Sequence, residues 1–221
     1  MIPSAHWPAF ESAFGWYVKN LFRRRFAAVH VRGNLPPPTA PLIMACQHVA
    51  WWDSLVIYHL SRRWFPPGAR HDVMMDEANL KKLSWLRWIG AFGVDRATRA
   101  GSAAALRHSL ELLEQPNMRL GIYPQGKQES MDKRPLESIA GASWLAARSG
   151  APFSTVVVRY EFIEDERPEI FVAIGEPRRV ARGEERAEPD AVMAAITADA
   201  DALRDDVWAR RFAGFTTITR R

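Results

Sequence analysis

A histidine and an aspartate, His48 and Asp53, stand five positions apart at a point where side chains often carry chemistry. They belong to the stretch QHVAWWDSL, which follows the apolar run PLIMAC and precedes a helical pattern. Ligand and catalytic groups in open α/β sheets gather at such carboxyl ends of strands. The Asp53 carboxylate could accept a hydrogen bond from Nδ1 of His48, which would leave Nε2 free to act as a general base. The alternative is structural, with Asp53 as a helix N-cap and His48 as an ordinary turn histidine.

The same spacing recurs at His71 and Asp76. His71 begins a strand pattern instead of following one, so we assign this second pair a structural role. The sequence has no Gly-x-Ser-x-Gly elbow to hold a serine nucleophile, and Cys46 ends an apolar strand, where we expect it in the core. No group of histidine, cysteine and acidic residues has the spacing of a zinc site, so we predict no metal. A base at His48 would therefore activate a substrate hydroxyl directly.

The segment GIYPQGKQ, residues 121–128, resembles a nucleotide-binding phosphate loop but lacks its main features. Gly121 falls inside an apolar strand pattern instead of after it. Pro124 has no N–H to offer a phosphate, and Gln128 stands where the motif needs a serine or threonine for Mg²⁺. We therefore predict a substrate loop at the end of a strand, with Lys127 near the substrate.

The elements that must position these residues alternate between strand and helix along most of the sequence, which predicts a single α/β domain. We expect a mostly parallel central sheet flanked by helices, with antiparallel additions near the C-terminus. The polar stretch 178–190 is interpreted as an exposed connection. Strands are predicted over 27–33, 41–46, 71–75, 92–94, 118–124, 152–163 and 169–177. Helices are predicted over 54–64, 77–89, 102–115, 137–150 and 189–212.

Residues 1–26 are predicted to form an amphipathic helix ahead of the main domain, residues 27–221. The helix could pack on the domain, or lie in the headgroup layer of an anionic membrane, or do both. The net charge of +5 and the nine tryptophans suit an anionic surface. A nucleic-acid partner is not expected, because most aromatic residues fall at core or N-terminal helix positions. The sequence has no apolar run of membrane-spanning length, and its single cysteine cannot form an internal disulfide, so we expect exposure to the cytosol.

Four blocks in fixed order resemble the glycerolipid acyltransferase family, whose best-known members are the lysophosphatidic acid acyltransferases. The first is the His48-x4-Asp53 block, and the second is FGVDR, residues 92–96. The third is YPQGKQ, residues 123–128, which falls where the family carries an aromatic-Pro-Glu-Gly-Thr-Arg block. The fourth is GAPFSTVVV, residues 150–158. The resemblance covers roughly residues 27–175.

The resemblance implies transfer of a fatty acyl group from acyl-CoA or acyl-carrier protein to a lipid hydroxyl at a membrane surface, with no cofactor beyond the acyl donor. It implies His48 as the general base and Asp53 as the residue that orients it. Substrate contacts are expected from Asp95, Arg96, Gln125, Gly126 and Lys127, with Arg96 on an acceptor phosphate.

The sequence departs from the family pattern at several positions. Gln125 replaces the glutamate of the third block, Ala50 replaces a small polar residue, and Thr155 replaces a proline. Because Gln125 keeps hydrogen-bonding capacity but carries no charge, the acceptor is either a lysophospholipid such as lysophosphatidic acid or another hydroxyl lipid, such as a glycosylated lipid or a terpenoid. A non-catalytic lipid-binding relative is the remaining alternative.

Overall fold

The computed structural model describes residues 1–138, 141–184 and 190–220. Its elements follow the alternation predicted from the sequence. The strands are β1 Ala28–Arg32, β2 Leu42–Cys46, β3 Arg70–Asp76, β4 Ala91–Val94, β5 Met118–Ile122, β6 Phe153–Glu161, β7 Glu169–Ile174 and β8 Thr216–Arg220. The α-helices are α1 Pro8–Arg25, α2 Asp53–Arg63, α3 Glu77–Lys82, α4 Arg99–Leu112, α5 Ala142–Ser149 and α6 Ala191–Trp208, with a 3₁₀ helix at Ser84–Ile89.

The described strands form one eight-stranded sheet in the order β4-β3-β5-β2-β6-β7-β1-β8. Neighbouring strands run parallel except at β6–β7 and β1–β8, which are antiparallel. The α/β fold with a mostly parallel sheet is therefore confirmed. β2 lies between β5 and β6, so the turn that leaves β2 is central to the sheet.

The helices cover both faces of the sheet. On one face, α1 and α2 bury residues such as Val18, Phe22 and Leu60 against the β2 side chain Met44. The other face is covered by α4, α5 and α6, which pack around residues such as Ile43. Helix α1 therefore contributes side chains to the hydrophobic core on this face of the sheet. Among the described residues, no helix combines the length and the apolar character that crossing a membrane requires.

The segment before α1 is fixed by polar contacts to β3 and to α1 itself. His6 lies between two carboxylates, with Nδ1 2.6 Å from Glu11 and Nε2 2.7 Å from Asp72. The bond to Asp72 raises the pKa of His6; burial opposes it, and the bond to Glu11 adds to it. Because a neutral imidazole has one N–H and both nitrogens face acceptors, the arrangement requires the protonated ring.

Several element boundaries differ from the predictions. The helix predicted over 77–89 ends at Lys82 and resumes as the 3₁₀ helix, because the backbone of Leu83 is not helical. The described part of the helix predicted over 137–150 is Ala142–Ser149, and residues 139 and 140 lie outside the described residues. Residues 185–189 of the predicted connection and the start of the last helix lie outside them too. Strand β8 was not predicted, and it pairs with β1 at the sheet edge.

Candidate active site

The predicted site residues lie at the carboxyl ends of the sheet's parallel strands. Strands β2, β3, β4, β5 and β6 run in the same direction, so their carboxyl ends lie side by side. His48 follows β2, Arg96 follows β4, and the loop from Tyr123 to Gly126 follows β5. The structure therefore brings the first three sequence blocks together around the turn that leaves β2.

His48 and Asp53 form a hydrogen-bonded pair, with Nδ1 of His48 2.9 Å from Oδ2 of Asp53. Asp53 is fully buried, whereas about a fifth of the His48 side chain is exposed. The same Oδ2 accepts the backbone N–H groups of Val49 and Ala50, at 2.6 and 2.8 Å. With its oxygens fixed in this way, the carboxylate holds the imidazole with Nδ1 inward.

Asp53 does not act as the helix N-cap that the sequence suggested. The N-cap of α2 is Trp52, which makes no side-chain cap, and Asp53 is the first helical residue. Its carboxylate instead points back to the donors of the preceding turn. The structural alternative for Asp53 is therefore wrong in its detail, since the side chain contacts the histidine and the turn and not the first turn of the helix.

Tyr160 completes the surroundings of the pair and was missed in the sequence. Its hydroxyl donates to Oδ1 of Asp53 at 2.7 Å, so both carboxylate oxygens are occupied. Burial raises the pKa of Tyr160 well above its ordinary value, and the charge of Asp53 adds to the rise. In the sequence, Tyr160 is recognisable only as a tyrosine near the carboxyl end of a strand. The pairing of β6 with β2 is what brings it close to Asp53.

Tyr123 packs beside the histidine, with the two ring centroids 4.5 Å apart. Its hydroxyl lies 3.3 Å from that of Ser54 on α2. Cys46, at the end of β2, is buried as expected, and burial raises the pKa of its thiol. A neutral, enclosed thiol is a poor nucleophile.

Gln125 lies beneath the site and is almost fully buried. Its Oε1 accepts the backbone N–H of His48 at 2.6 Å, and its Nε2 donates to Glu129 at 3.3 Å. Glu129 in turn donates its backbone N–H to the carbonyl of His48. The two residues therefore clamp the main chain of His48. Sequence reasoning expected Gln125 to meet the acceptor, but the structure places both of its polar atoms on protein groups.

The other predicted substrate residues fall into two groups. Asp95 caps the turn into α4, accepting from Ala97 N at 3.0 Å and from the Thr98 hydroxyl. Lys127 is exposed and forms ion pairs with acidic side chains of its own loop, at 2.5 Å from Glu137 and 3.6 Å from Glu129. In contrast, Arg96 and Gly126 border the cavity described next, and Nη1 of Arg96 donates to the Gly126 carbonyl.

A cavity of about 1210 Å³ opens beside His48. It extends from Tyr123 at the carboxyl edge to Phe65 and His71 at the beginning of β3. The cavity follows β3 from His71 to Asp76. At a rise of roughly 3.3 Å per residue, this part of the strand is about 16 Å long. The volume exceeds the roughly 300–1,000 Å³ usual for small-molecule sites. Its apolar lining includes Leu55, Ile57, Phe65, Val73, Leu86 and Ile89.

The comparison with protein families agrees with the sequence blocks. A model of the family described as Acyltransferase matches residues 28–159, more than half of the chain. The matched span runs from β1 into β6 and includes His48, Arg96 and Gln125. A search of curated proteins finds no match.

Proposed function

The chain belongs to the Acyltransferase family, and on that premise we propose that it is a membrane-peripheral O-acyltransferase. It would move a fatty acyl group from an acyl thioester, acyl-CoA or acyl-carrier protein, to a hydroxyl of a lysophospholipid such as lysophosphatidic acid. One observation carries the proposal. His48 has Nδ1 bound to the buried Asp53 carboxylate while its ring borders the large apolar cavity. None of the described residues hydrogen-bonds to Nε2, which therefore remains available to a substrate.

In the proposed reaction, Nε2 of His48 takes the proton of the acceptor hydroxyl as its oxygen attacks the thioester carbonyl. The tetrahedral intermediate then collapses with cleavage of the C–S bond, and the leaving thiolate takes the proton back from Nε2. The charge of Asp53 stabilises the imidazolium between these two transfers. No covalent acyl-enzyme forms, since the buried Cys46 thiol is unsuited to attack.

The cavity supports a long-chain acyl group as the transferred unit. Its apolar wall would hold the chain, and its opening at His48 and Tyr123 would hold the thioester carbonyl near Nε2. Burial of methylene groups contributes roughly 0.8 kcal/mol each, so a longer chain should bind more tightly until the cavity is filled.

Arg96 supports an acceptor that carries a phosphate. It borders the cavity, its side chain is close to half exposed, and its ion pair with Asp76 is long, at 3.9 Å. A guanidinium suits phosphate oxygens in paired hydrogen bonds. We propose no acceptor contact for Gln125, because its polar atoms are engaged within the protein. A glycosylated lipid or a terpenoid remains the alternative acceptor.

The proposed attachment to the cytoplasmic face of a membrane is supported by the exposed side of α1. Trp16 and Tyr17 are 71% and 52% exposed, although Val18 in the next position is fully buried. Aromatic side chains with one polar atom suit the interface between water and lipid. Arg23, Arg24 and Arg25 end the same helix and add positive charge.

The test is an acyl transfer assay with purified protein. A long-chain acyl-CoA or acyl-carrier protein is incubated with lysophosphatidic acid, a glycosylated lipid or a terpenoid alcohol, and thiol release and ester formation are measured. We expect acceptor-dependent release that His48→Gln abolishes and that the matched control His108→Gln, in α4 outside the cavity lining, retains. Transfer that survives His48→Gln would contradict the base assignment. No transfer with any donor and acceptor would favour a lipid-binding relative.

A further inference from the structure

A second recess lies between α1 and α2, on the outer side of the face that carries the cavity. It has a volume of about 260 Å³. Helix α1 contributes residues spaced by a turn, including Gly15 and Lys19, and the last turn of α2 contributes Arg62 and Arg63. Gly15 lies beside Arg62, and a β-carbon there would be in ordinary contact with Nε of Arg62, at 3.5 Å.

The three cations of this recess carry no matching acid. Lys19, Arg62 and Arg63 form no ion pair or side-chain hydrogen bond with any residue of the described ranges. The recess also contains His59, whose pKa falls to about 4 because of burial and the positive charges of Arg63 and Lys19. His59 is therefore neutral, and the net charge of the recess comes from the three cations.

The surroundings of the recess indicate which anion would enter it. Trp16 forms part of the recess and is 71% exposed. A large indole left in solvent beside unpaired cations is typical of a surface that meets lipid, where tryptophan lies at headgroup depth. Tyr58 and Arg62 border both the recess and the large cavity, so an anion bound here would lie next to the cavity wall.

We propose that the recess formed by Lys19, Arg62 and Arg63 binds the phosphate of an anionic membrane lipid headgroup, with Trp16 inserted among the neighbouring lipids. Arginine and lysine donors pair with phosphate oxygens in charge-assisted hydrogen bonds, and the phosphate would supply the counter-charge that the described residues lack. The site is separate from the general base and concerns how the protein attaches. It rests on the peripheral attachment contained in the proposed function.

The first experiment measures binding to vesicles without acyl donor or acceptor. Sedimentation with phosphatidylcholine vesicles containing phosphatidylglycerol is compared for the parent protein, Lys19→Gln/Arg63→Gln, and the control Arg107→Gln/Arg148→Gln. Both pairs remove two positive charges, but Arg107 and Arg148 lie on α4 and α5, across the sheet. At about 1 kcal/mol for each cation near an anionic surface, we expect a loss of about 30-fold in the first variant. The control should change less than about 3-fold. Equal losses would overturn the proposal.

The second experiment distinguishes a headgroup from free phosphate. Soluble dihexanoyl phosphatidylglycerol, below its micelle concentration, is titrated into the protein while tryptophan fluorescence is followed, and inorganic phosphate is titrated in parallel. We expect a saturable change that Trp16→Phe removes and that inorganic phosphate does not reproduce. An equal response to inorganic phosphate would show an anion site without lipid selectivity, and no saturable response would refute the site.

These outcomes are independent of the acyl transfer assay, which can be run with soluble substrates. Vesicle binding that fails while acyl transfer succeeds would remove the headgroup site and leave the proposed enzyme. Headgroup binding with no acyl transfer would support the site in a lipid-binding relative.

Discussion

Replacing Asp53 by asparagine tests the most specific electrostatic claim made for the site, since it removes the charge and keeps the shape. In the parent protein, Oδ2 of Asp53 accepts from His48, Val49 and Ala50, and Oδ1 accepts from Tyr160. The oxygen of asparagine can take the place of Oδ2. Its amide nitrogen would then face the Tyr160 hydroxyl, which can rotate from donating to accepting.

The expected loss follows from the distance and the burial. In the proposed reaction His48 becomes an imidazolium when it takes the acceptor proton, and the Asp53 carboxylate lies 2.9 Å from its Nδ1. Two unit charges about 4 Å apart attract each other by about 4 kcal/mol at an effective dielectric constant of about 20. Losing this attraction should lower kcat by about 1,000-fold. The free energy of unfolding should fall by only about 1 kcal/mol, because the hydrogen bonds are retained.

The assay is acyl-chain transfer at saturating donor and acceptor, together with urea unfolding of the same preparations. Asp190→Asn is the matched control, because Asp190 caps α6 by accepting from Met193 N and asparagine caps helices equally well. A kcat for Asp53→Asn within about 10-fold of the parent, in a fully folded protein, would refute the electrostatic role of Asp53. A large loss of stability would show instead that Tyr160 cannot reverse its hydrogen bond.

Further expectations concern the neighbours of the pair and the N-terminal segment. Tyr160→Phe removes the donor to Asp53 and should destabilise the fold by about 1–3 kcal/mol in urea unfolding; no change would mean that water replaces the hydroxyl. Gln125→Glu places a second carboxylate next to that of Glu129, so we expect lower stability at neutral pH than at pH 5, with recovery when Glu129→Gln is added. Arg96→Lys should raise KM for a phosphate-bearing acceptor about 10-fold and leave a neutral acceptor unaffected. The raised pKa of His6 gives stability that is fully present below its unfolded value near 6.5 and is lost as the pH rises through the folded value; His6→Gln should remove this slope from unfolding measurements.

The sequence predicted what depends on local pattern and strand order. The spacing of His48 and Asp53, and their place after an apolar strand, suggested the pair but left a structural role open, and the four ordered sequence blocks favoured the hydrogen-bonded pair. The sequence could not predict Tyr160, which is more than a hundred positions from Asp53 and reaches it only because β6 pairs with β2. The sequence also could not predict the contacts of Gln125 with His48 and Glu129, since a loop pattern does not reveal whether a side chain turns inward.

The burial of one side of α1 has a consequence for which lipids could react. Because Val18 and Phe22 belong to the core while Trp16 faces outward, α1 is packed directly on the domain that carries the candidate active site. Under the proposed attachment, the distance between Nε2 of His48 and the plane of the lipid phosphates would therefore be fixed. The rate would then depend on the distance between the acceptor hydroxyl and the plane of the lipid phosphates. Two lipids with the same reactive group would differ in rate if their headgroups hold the hydroxyl at different heights.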